Sequence, residues 1–278
     1  MIPANPRVCV MSGGDEVRYR SYINHSVYAR IHGFTYHIGI GLGPAVMSPY
    51  YYKFNAILEI LPAFEWVLYL DDDVYVTDLD SASIELLVAH AEEHDEFLVL
   101  SEGPEEPDGT WTRVNSGVML VRRDERSFEL LRAARDADLG AIRDNWSEAD
   151  EGLFTNGDQD AVWRAIRDGD LLDKGVRVVG HRDLNSREHY YRESLADAFA
   201  VHFCGPGDKR LKVAEFGRRF GLGQELVPRA QMELFSVRRQ EHMSDAESLR
   251  RRVDLVRAAV QKRVRRKIDF VATHRRWR

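Results

Sequence analysis

Residues 66–76 read Trp-Val-Leu-Tyr-Leu-Asp-Asp-Asp-Val-Tyr-Val, and this stretch limits the fold more than any other. An apolar run of strand length stops at three consecutive carboxylates, Asp71, Asp72 and Asp73. Side chains alternate along an extended chain, so Asp71 and Asp73 are expected on one face and Asp72 on the other. The pair would sit at the C-terminal end of a buried strand, where open α/β sheets bind ligands. Two hard oxygen ligands there suit Mg²⁺ or Mn²⁺ shared with a diphosphate. The plainer reading is a solvated acidic turn after a buried strand, and the rest of the chain decides between them.

Strand and helix patterns alternate around this run. Residues 7–12 predict a short strand. It is followed by Gly13-Gly14-Asp15, with Asp15 placed to cap a helix running to about residue 32. Tyr22, Ile23, Ser26, Val27 and Ile31 have the spacing of that helix's buried face. Gly33 ends it, and residues 34–40 predict a second strand. A Gly/Pro-rich loop over 41–49 leads to a helix over 53–60. After the triplet, Asp80 or Ser81 is placed to cap a helix reaching about residue 91. Residues 96–101 and 114–122 read as strands, 127–137 as a helix, and 143–156 as a long polar loop. Residues 158–168 read as a helix and 176–179 as a strand. The alternation predicts a layered α/β domain with a largely parallel sheet.

No apolar run approaches the roughly 20 residues that span a bilayer. The chain starts with no signal-peptide pattern, and Cys9 and Cys204 lie far apart without metal-ligand spacing. A reduced cytoplasmic setting is expected, with both thiols buried. Charge is uneven. Residues 250–278 carry twelve Lys/Arg against two Asp, a surplus of ten, so the net charge of −6 leaves −16 for the rest. Leu249, Val253, Val256, Val260, Val264 and Ile268 form an apolar stripe between these basic residues. Two readings of this tail stand side by side. It is a helix packed on its own domain or on a partner subunit. Alternatively, it is a basic amphipathic helix on an anionic membrane at the inner face, with Phe270 and Trp277 at the interface. Nucleic acid is not expected as a partner, because the body is acidic.

Three further segments bear chemistry. Asn115-Ser116-Gly117 opens an apolar strand, so backbone and amide can approach a ligand closely. Gly157-Asp158-Gln159-Asp160 reads as a helix N-terminus capped by Gly157 or Asp158, and its polar side chains can also hold sugar hydroxyls. His202-Phe203-Cys204-Gly205-Pro206-Gly207-Asp208-Lys209 places a His at a strand end before a glycine loop and an ammonium. That combination suits a diphosphate clamp, with His202 as a third ligand of the same metal.

In this order, the four segments resemble the retaining GT-A glycosyltransferases. The similarity is to the galactosyltransferase, xylosyltransferase and mannosyltransferase family 34, and to the glycogenin and galactosyltransferase family 8. Tyr51-Tyr52-Lys53-Phe54 is similar to the Lys-bearing helix of these families. The resemblance covers roughly residues 7–209. It implies a GT-A, Rossmann-like catalytic domain over 1–215 and a helical extension over 216–278, with the basic tail from about 249. It also implies roles. Asp71, Asp73 and His202 would hold Mn²⁺ or Mg²⁺, and Asp72 would face the donor ribose or sugar. Lys53 would contact the donor. Asn115, Ser116 and Asp158 would bind the sugar, and Gln159 would lie beside the anomeric carbon. Gly205 and Lys209 would hold the diphosphate, and Asp15 or Tyr19 would contact the base. One departure stands out: the family spacing puts Lys at position 208, where this chain has Asp208, and Lys209 follows it.

The expected activity is metal-dependent, retaining transfer of a hexose or pentose from a nucleotide sugar. UDP-galactose, UDP-glucose or UDP-xylose would be the donor, with GDP-mannose as the alternative. The acceptor would be a glycan, glycolipid or small molecule. Because Gln159 is a poor nucleophile, same-face attack is expected, with Asp158 or Asp160 as the alternative nucleophile. A nucleotidyltransferase would want a basic Gly-rich loop where Gly13-Gly14-Asp15-Glu16 is acidic. A haloacid-dehalogenase-type phosphatase would want Thr or Val where Tyr75 stands. The non-enzyme alternative is a nucleotide-sugar-binding module.

Overall fold

The computed structural model describes residues 7–41, 49–205 and 207–275. Eight strands are described: β1 (Val8–Gly14), β2 (Thr35–Ile40), β3 (Trp66–Leu70), β4 (Val74–Val76), β5 (Leu98–Ser101), β6 (Asn115–Arg122), β7 (Val176–Val179) and β8 (Ala200–His202). The helices between and after them are α1 (Ser21–His32), α2 (Tyr52–Ile60), α3 (Ser83–Glu93), α4 (Glu125–Arg135), α5 (Leu139–Asp144), α6 (Glu148–Glu151), α7 (Asp158–Asp168), α8 (His181–Leu184), α9 (Lys209–Arg219), α10 (Arg229–Leu234) and α11 (Asp245–Arg275).

The main sheet has the order β2-β1-β3-β6-β5-β7, and β4 and β8 form a second, two-stranded sheet. The pairs β1–β2, β1–β3 and β5–β7 are parallel. β6 runs antiparallel to both of its neighbours. This reversal matters for the site, because it brings the start of β6 beside the C-terminal end of β3.

The sheet is covered on both faces, which explains why β3 is apolar without alternation. On one face Val10, Leu68, Leu70, Val118 and Leu120 pack with Val27 and Tyr28 of α1 and Ile84 and Val88 of α3. On the other, Met11, Val67, Tyr69, Met119 and Val121 pack with Phe54 and Ile57 of α2, Leu131 of α4 and Ile166 of α7. Each fully buried aliphatic or aromatic side chain contributes about 1.5–3 kcal/mol. A third cluster, with Tyr75, Tyr191, Phe203 and Phe216, supports the β4–β8 pair from α9. Its rings meet edge to face, Phe203 to Phe216 at 5.6 Å and Tyr191 to Phe216 at 5.1 Å.

Several expectations change in the folded chain. Asp15 does not cap α1; the helix starts at Ser21, and Asp15 pairs instead with Arg18. The buried face of α1 centres on Asn24, His25, Val27 and Tyr28, while Tyr22, Ile23, Ser26 and Ile31 are half-buried. The reason is backbone pairing. The Asn24 side chain donates to the Val76 carbonyl at 2.9 Å and accepts from Val76 N–H at 2.8 Å, taking the place of a strand neighbour for β4. His25 Nε2 donates to the Val74 carbonyl at 2.9 Å. Residues 143–156 are not all loop, since they contain α6. Cys9 is buried, but Cys204 is partly exposed in the turn after β8.

α9 runs through position 215, and Leu222, Leu226, Val227 and Met232 beyond it are buried against the first and third clusters. α11 is tied to α9 by Arg252–Glu215 at 2.7 Å and Arg218–Ser248 at 3.0 Å. Arg251 reaches Asp208 at 2.6 Å. Further along, Leu249, Val253, Val256 and Val260 are exposed, so this stretch of the stripe does not pack on its own domain. The side chains of Val264, Ile268 and Phe270, all of Trp277, Pro206 and most of the 41–49 loop lie outside the described residues. No helix among the described residues is long and apolar enough to cross a membrane.

Candidate active site

The acidic triplet lies where β3 leaves the sheet. Asp71 and Asp73 do converge, but through a turn rather than through strand alternation. Val74 N–H returns to the Asp71 carbonyl at 3.1 Å, and β4 begins at once. Asp71 N–H is held by the Gly117 carbonyl at 2.9 Å, which ties the turn to β6. β8 pairs with β4 in a register that sets His202 opposite Val74. His202 Nε2 then lies 3.2 Å from Asp73 Oδ1 and 4.0 Å from Asp71 Oδ2.

One ligand atom from each of Asp71, Asp73 and His202 falls within 4.8 Å of the other two. Octahedral coordination at roughly 2.1 Å separates adjacent ligand atoms by about 3 Å and opposite ones by about 4 Å, so the three can serve one ion. Two carboxylates and an imidazole suit Mn²⁺ better than Mg²⁺, which prefers oxygen alone. The His202 Nδ1 is buried, and the Cys204 side chain lies against the imidazole.

Gly117 makes this packing feasible. A Cβ built there would lie 2.3 Å from His202 Cε1 and 2.6 Å from Nδ1. The glycine of the Asn-Ser-Gly run therefore makes room for the imidazole, a contact that the strand pattern around it does not announce.

Two ammonium groups flank the carboxylates. Lys53 Nζ, almost wholly buried, sits 2.9 Å from Asp71 Oδ1, 2.7 Å from Asp158 Oδ2 and 3.1 Å from the Ser116 carbonyl. Lys209 Nζ is 2.5 Å from Asp73 Oδ2. Position 208 is used differently: Asp208 caps α9 by accepting from Leu211 N–H at 3.2 Å. Lys209 is thus the first residue of α9, and the shifted spacing still delivers it to the triplet.

The electrostatics follow from burial and charge. Burial opposes ionisation of Asp73, but His202 and Lys209 outweigh it and hold the carboxyl well below its usual range. Asp71 is raised, by burial and by its Asp158 and Asp73 neighbours against the pull of Lys53. Burial together with Asp73 and Asp71 pushes Asp72 up to about 7. Burial disfavours a charged His202, but Cys204 and Asp73 raise it. Asp71, Asp72, Asp73 and Asp158 are thus set against Lys53, Arg18 and Lys209.

Of the other expected residues, Ser116 and Asp158 adjoin Lys53 directly. Ser116 Oγ donates to Asp158 Oδ2 at 2.6 Å. Asn115 Oδ1 accepts from Gly117 N–H at 3.0 Å and from Asn185 Nδ2 at 2.8 Å. Gln159 is half-buried on the first turn of α7, and its amide makes no hydrogen bond among the described residues. Asp160 turns back to cap that helix, accepting from Thr155 Oγ1 at 3.0 Å and Gly157 N–H at 3.2 Å. Burial raises it to about 6. Gly205 has φ +83°, which a side chain would strain. Tyr19 and Asp72 line one small cleft at the end of β1 with Ser12, Gly13 and Arg18, and Asp15 does not line it. Arg18 links the two regions, pairing with Asp15 and lying 3.6 Å from Asp72. Arg18, Asn185 and Arg187 escape a reading of the sequence, because isolated polar residues in loops carry no spacing signal.

No protein-family model matches the chain. It is 27% identical over 131 residues to galactomannan galactosyltransferase 1 of Cyamopsis tetragonoloba, covering 46% of this chain and 29% of that protein. It is 30% identical over 121 residues to putative glycosyltransferase 7 of Arabidopsis thaliana, covering 42% of this chain and 26% of that protein. The chain therefore spans less than a third of the length of these curated relatives. Among solved structures, it superposes on a glycosyltransferase involved in glycosylation of the major capsid of PBCV-1. The TM-score is 0.54 at 20% identity, over 78% of this chain and 99% of that one. With its mostly parallel sheet, its reversed β6 and the acidic turn after β3, the chain has the GT-A fold of the glycosyltransferases.

Proposed function

We propose that the chain is a metal-dependent retaining glycosyltransferase of the family 34 type, moving a hexose or pentose from a nucleotide sugar to a hydroxyl acceptor. The observation that carries this reading is the convergence of Asp71, Asp73 and His202 at the end of β3, flanked by Lys53 and Lys209. UDP-galactose leads the candidate donors, in keeping with the galactosyltransferase relative, followed by UDP-glucose and UDP-xylose. GDP-mannose is the alternative.

The hard step breaks the bond between the anomeric carbon and the diphosphate. A divalent cation on Asp71, Asp73 and His202 would offset the charge that builds on the leaving group. Lys209 adds an ammonium at the same place, and the backbone of Gly205 and Gly207 can approach the phosphates without side-chain interference. Asp158 is held by Lys53 and Ser116, which suits it to fixing sugar hydroxyls rather than to attacking carbon. Asp160 is engaged in capping α7. Gln159 has an amide with no hydrogen bond among the described residues and is a poor nucleophile. These features favour same-face attack. The acceptor's proton passes to a diphosphate oxygen, and Gln159 steadies the positive charge at the anomeric carbon. The exposed apolar stripe of α11, lying between basic residues, would suit an anionic membrane surface on the cytoplasmic side, where a lipid-borne glycan is one class of acceptor.

The test is nucleotide release from a panel of UDP- and GDP-sugars, with Mn²⁺ and with EDTA. Slow Mn²⁺-dependent hydrolysis of one donor is expected, abolished in Asp73→Ala. In Gln159→Ala it should be severely slowed while nucleotide binding survives. Full turnover in Asp73→Ala would sink the reading. Failure of every donor, together with no Mn²⁺-dependent nucleotide binding, would favour a binding module.

A further inference from the structure

Arg187 is buried to 3% exposure and lies in the loop after α8, outside any regular element. Its Nη1 donates to two backbone carbonyls of the turn that ends β8, His202 at 3.1 Å and Cys204 at 2.8 Å. It also contacts Cys204 Sγ. The other side of the guanidinium faces Glu106, with Nη2 3.3 Å from Oε2 and Nε 2.8 Å from Oε1. A Cβ at Gly205 would come within 3.4 Å of Nη2, so the guanidinium also lies against the glycine turn.

The preceding residues hold the same strand. Ser186 N–H donates to the Ala200 carbonyl, and His202 N–H donates to the Ser186 carbonyl, each at 2.9 Å. Glu106 is itself fixed in a closed turn, with its N–H on the Thr110 carbonyl at 2.7 Å and its carbonyl accepting from Gly109 N–H at 2.8 Å. β8 is only three residues long. Beyond His202 the backbone keeps one bond to the β4 side, Phe203 N–H to the Asp73 carbonyl at 3.1 Å, and Lys212 Nζ also reaches the Cys204 carbonyl at 3.4 Å; Arg187 takes the carbonyls on either side of Phe203. Nη1 takes both carbonyls while Nη2 and Nε face the carboxylate, so the rigid planar guanidinium fixes the two sides relative to each other; a lysine ammonium is a point charge on a flexible stem and would not fix that geometry.

We propose that Arg187, braced by Glu106, is a positioning residue for the His202–Gly205 turn. It would thereby hold the imidazole against Asp73 and the glycine backbone beside the diphosphate. This inference rests on the metal reading made above and assigns a role to two residues outside the triad.

The experiment titrates the full chain, Arg187→Lys and Glu106→Gln with Mn²⁺ alone, following the EPR signal of free aqueous Mn²⁺. Circular dichroism melts are recorded without metal. Arg187→Lys should weaken Mn²⁺ binding by about 10–100-fold, the usual effect of losing a residue that orients a metal ligand. Glu106→Gln keeps an acceptor but loses the charge, and should give a smaller loss in the same direction. With Co²⁺ in place of Mn²⁺, the visible absorption bands of both variants should change shape, because the histidine no longer meets the ion at the native angle. If the variants melt earlier yet bind Mn²⁺ within about twofold of wild type, the residues are merely structural and the proposal is overturned. Should Arg187→Lys not fold, Glu106→Gln decides by the same criterion. A wild-type chain that takes up no Mn²⁺ would overturn the metal reading itself, and that result is visible before any substitution is made.

Discussion

Adding one methyl group at Gly117 should disable the candidate metal centre while leaving the fold in place. The new Cβ would lie 2.3 Å from His202 Cε1. Carbon atoms in contact rest about 3.5 Å apart, so the ring must retreat by roughly 1.2 Å. That shift is large beside the 3.2 Å that separates His202 Nε2 from Asp73 Oδ1. The imidazole is buried to 4% exposure and has little room to slide elsewhere. Gly117 does not occupy the left-handed region, so alanine is acceptable to the backbone and the perturbation is confined to the new contact. Overpacking of this kind costs about 1–3 kcal/mol of stability. Misplacing one of three protein ligands should cost about 10–100-fold in metal affinity. Mn²⁺ titration of Gly117→Ala measures the second quantity directly. A double-mutant cycle isolates the cause: in a His202→Ala background, Gly117→Ala should have no further effect on Mn²⁺ binding. Unchanged affinity in Gly117→Ala, or an undiminished loss in the His202→Ala background, would refute the argument that this glycine acts through the histidine.

Lys53→Met removes the cation between Asp71 and Asp158 and leaves two carboxylates facing each other. A stability loss of about 3–5 kcal/mol is expected, and adding Asp158→Asn should restore part of it; a denaturant melt showing no recovery would count against the shared-cation picture. His25 is fully buried, and burial lowers its pKa from 6.5 to about 4. The unfolded chain therefore binds a proton below pH 6.5 that the folded chain refuses until about pH 4. This contribution is intact above pH 6.5 and is lost as pH falls toward 4, about 3 kcal/mol in all. His25→Gln keeps a donor for the Val74 carbonyl without titrating, so its stability should fall less steeply between pH 6.5 and 4; parallel curves for the two proteins would exclude the assignment. Nucleotide release by the Arg187→Lys chain should recover partly at saturating Mn²⁺, since weaker metal binding is its expected defect, and a loss of turnover that no Mn²⁺ concentration relieves would point to a different role.

Much of this architecture is written locally. The continuous apolar run of β3 announces a strand buried on both faces, and the carboxylates that stop it mark the site, because a chain leaving a sheet must become polar where it meets solvent. Residues 158–168 and 176–179 are legible for the same reason: Gly157 before a polar first turn and a short β-branched run are local signals. The Asn-Ser-Gly and His-Phe segments can be named as partners of the triplet only through their order along the chain.

What the tertiary structure decided were the relations between distant segments. The reversal of β6 sets Gly117 beside Asp71, and the β4–β8 pairing brings His202 across more than a hundred residues to Asp73. Asp15 looks like a cap because capping is read locally, yet an arginine three residues away takes its carboxylate. Asn24 and His25 look like surface positions on an amphipathic helix, but the unpaired edge of β4 needs donors and an acceptor, and α1 supplies them. Arg187 and Glu106 carry no pattern at all, because a guanidinium that stitches two carbonyls to a carboxylate is specified by three loops meeting in space. Hydrophobic periodicity and turn chemistry act over a few residues and can be read from the sequence. The pairing of buried charges and backbone groups acts across the fold, and only the folded chain fixes it.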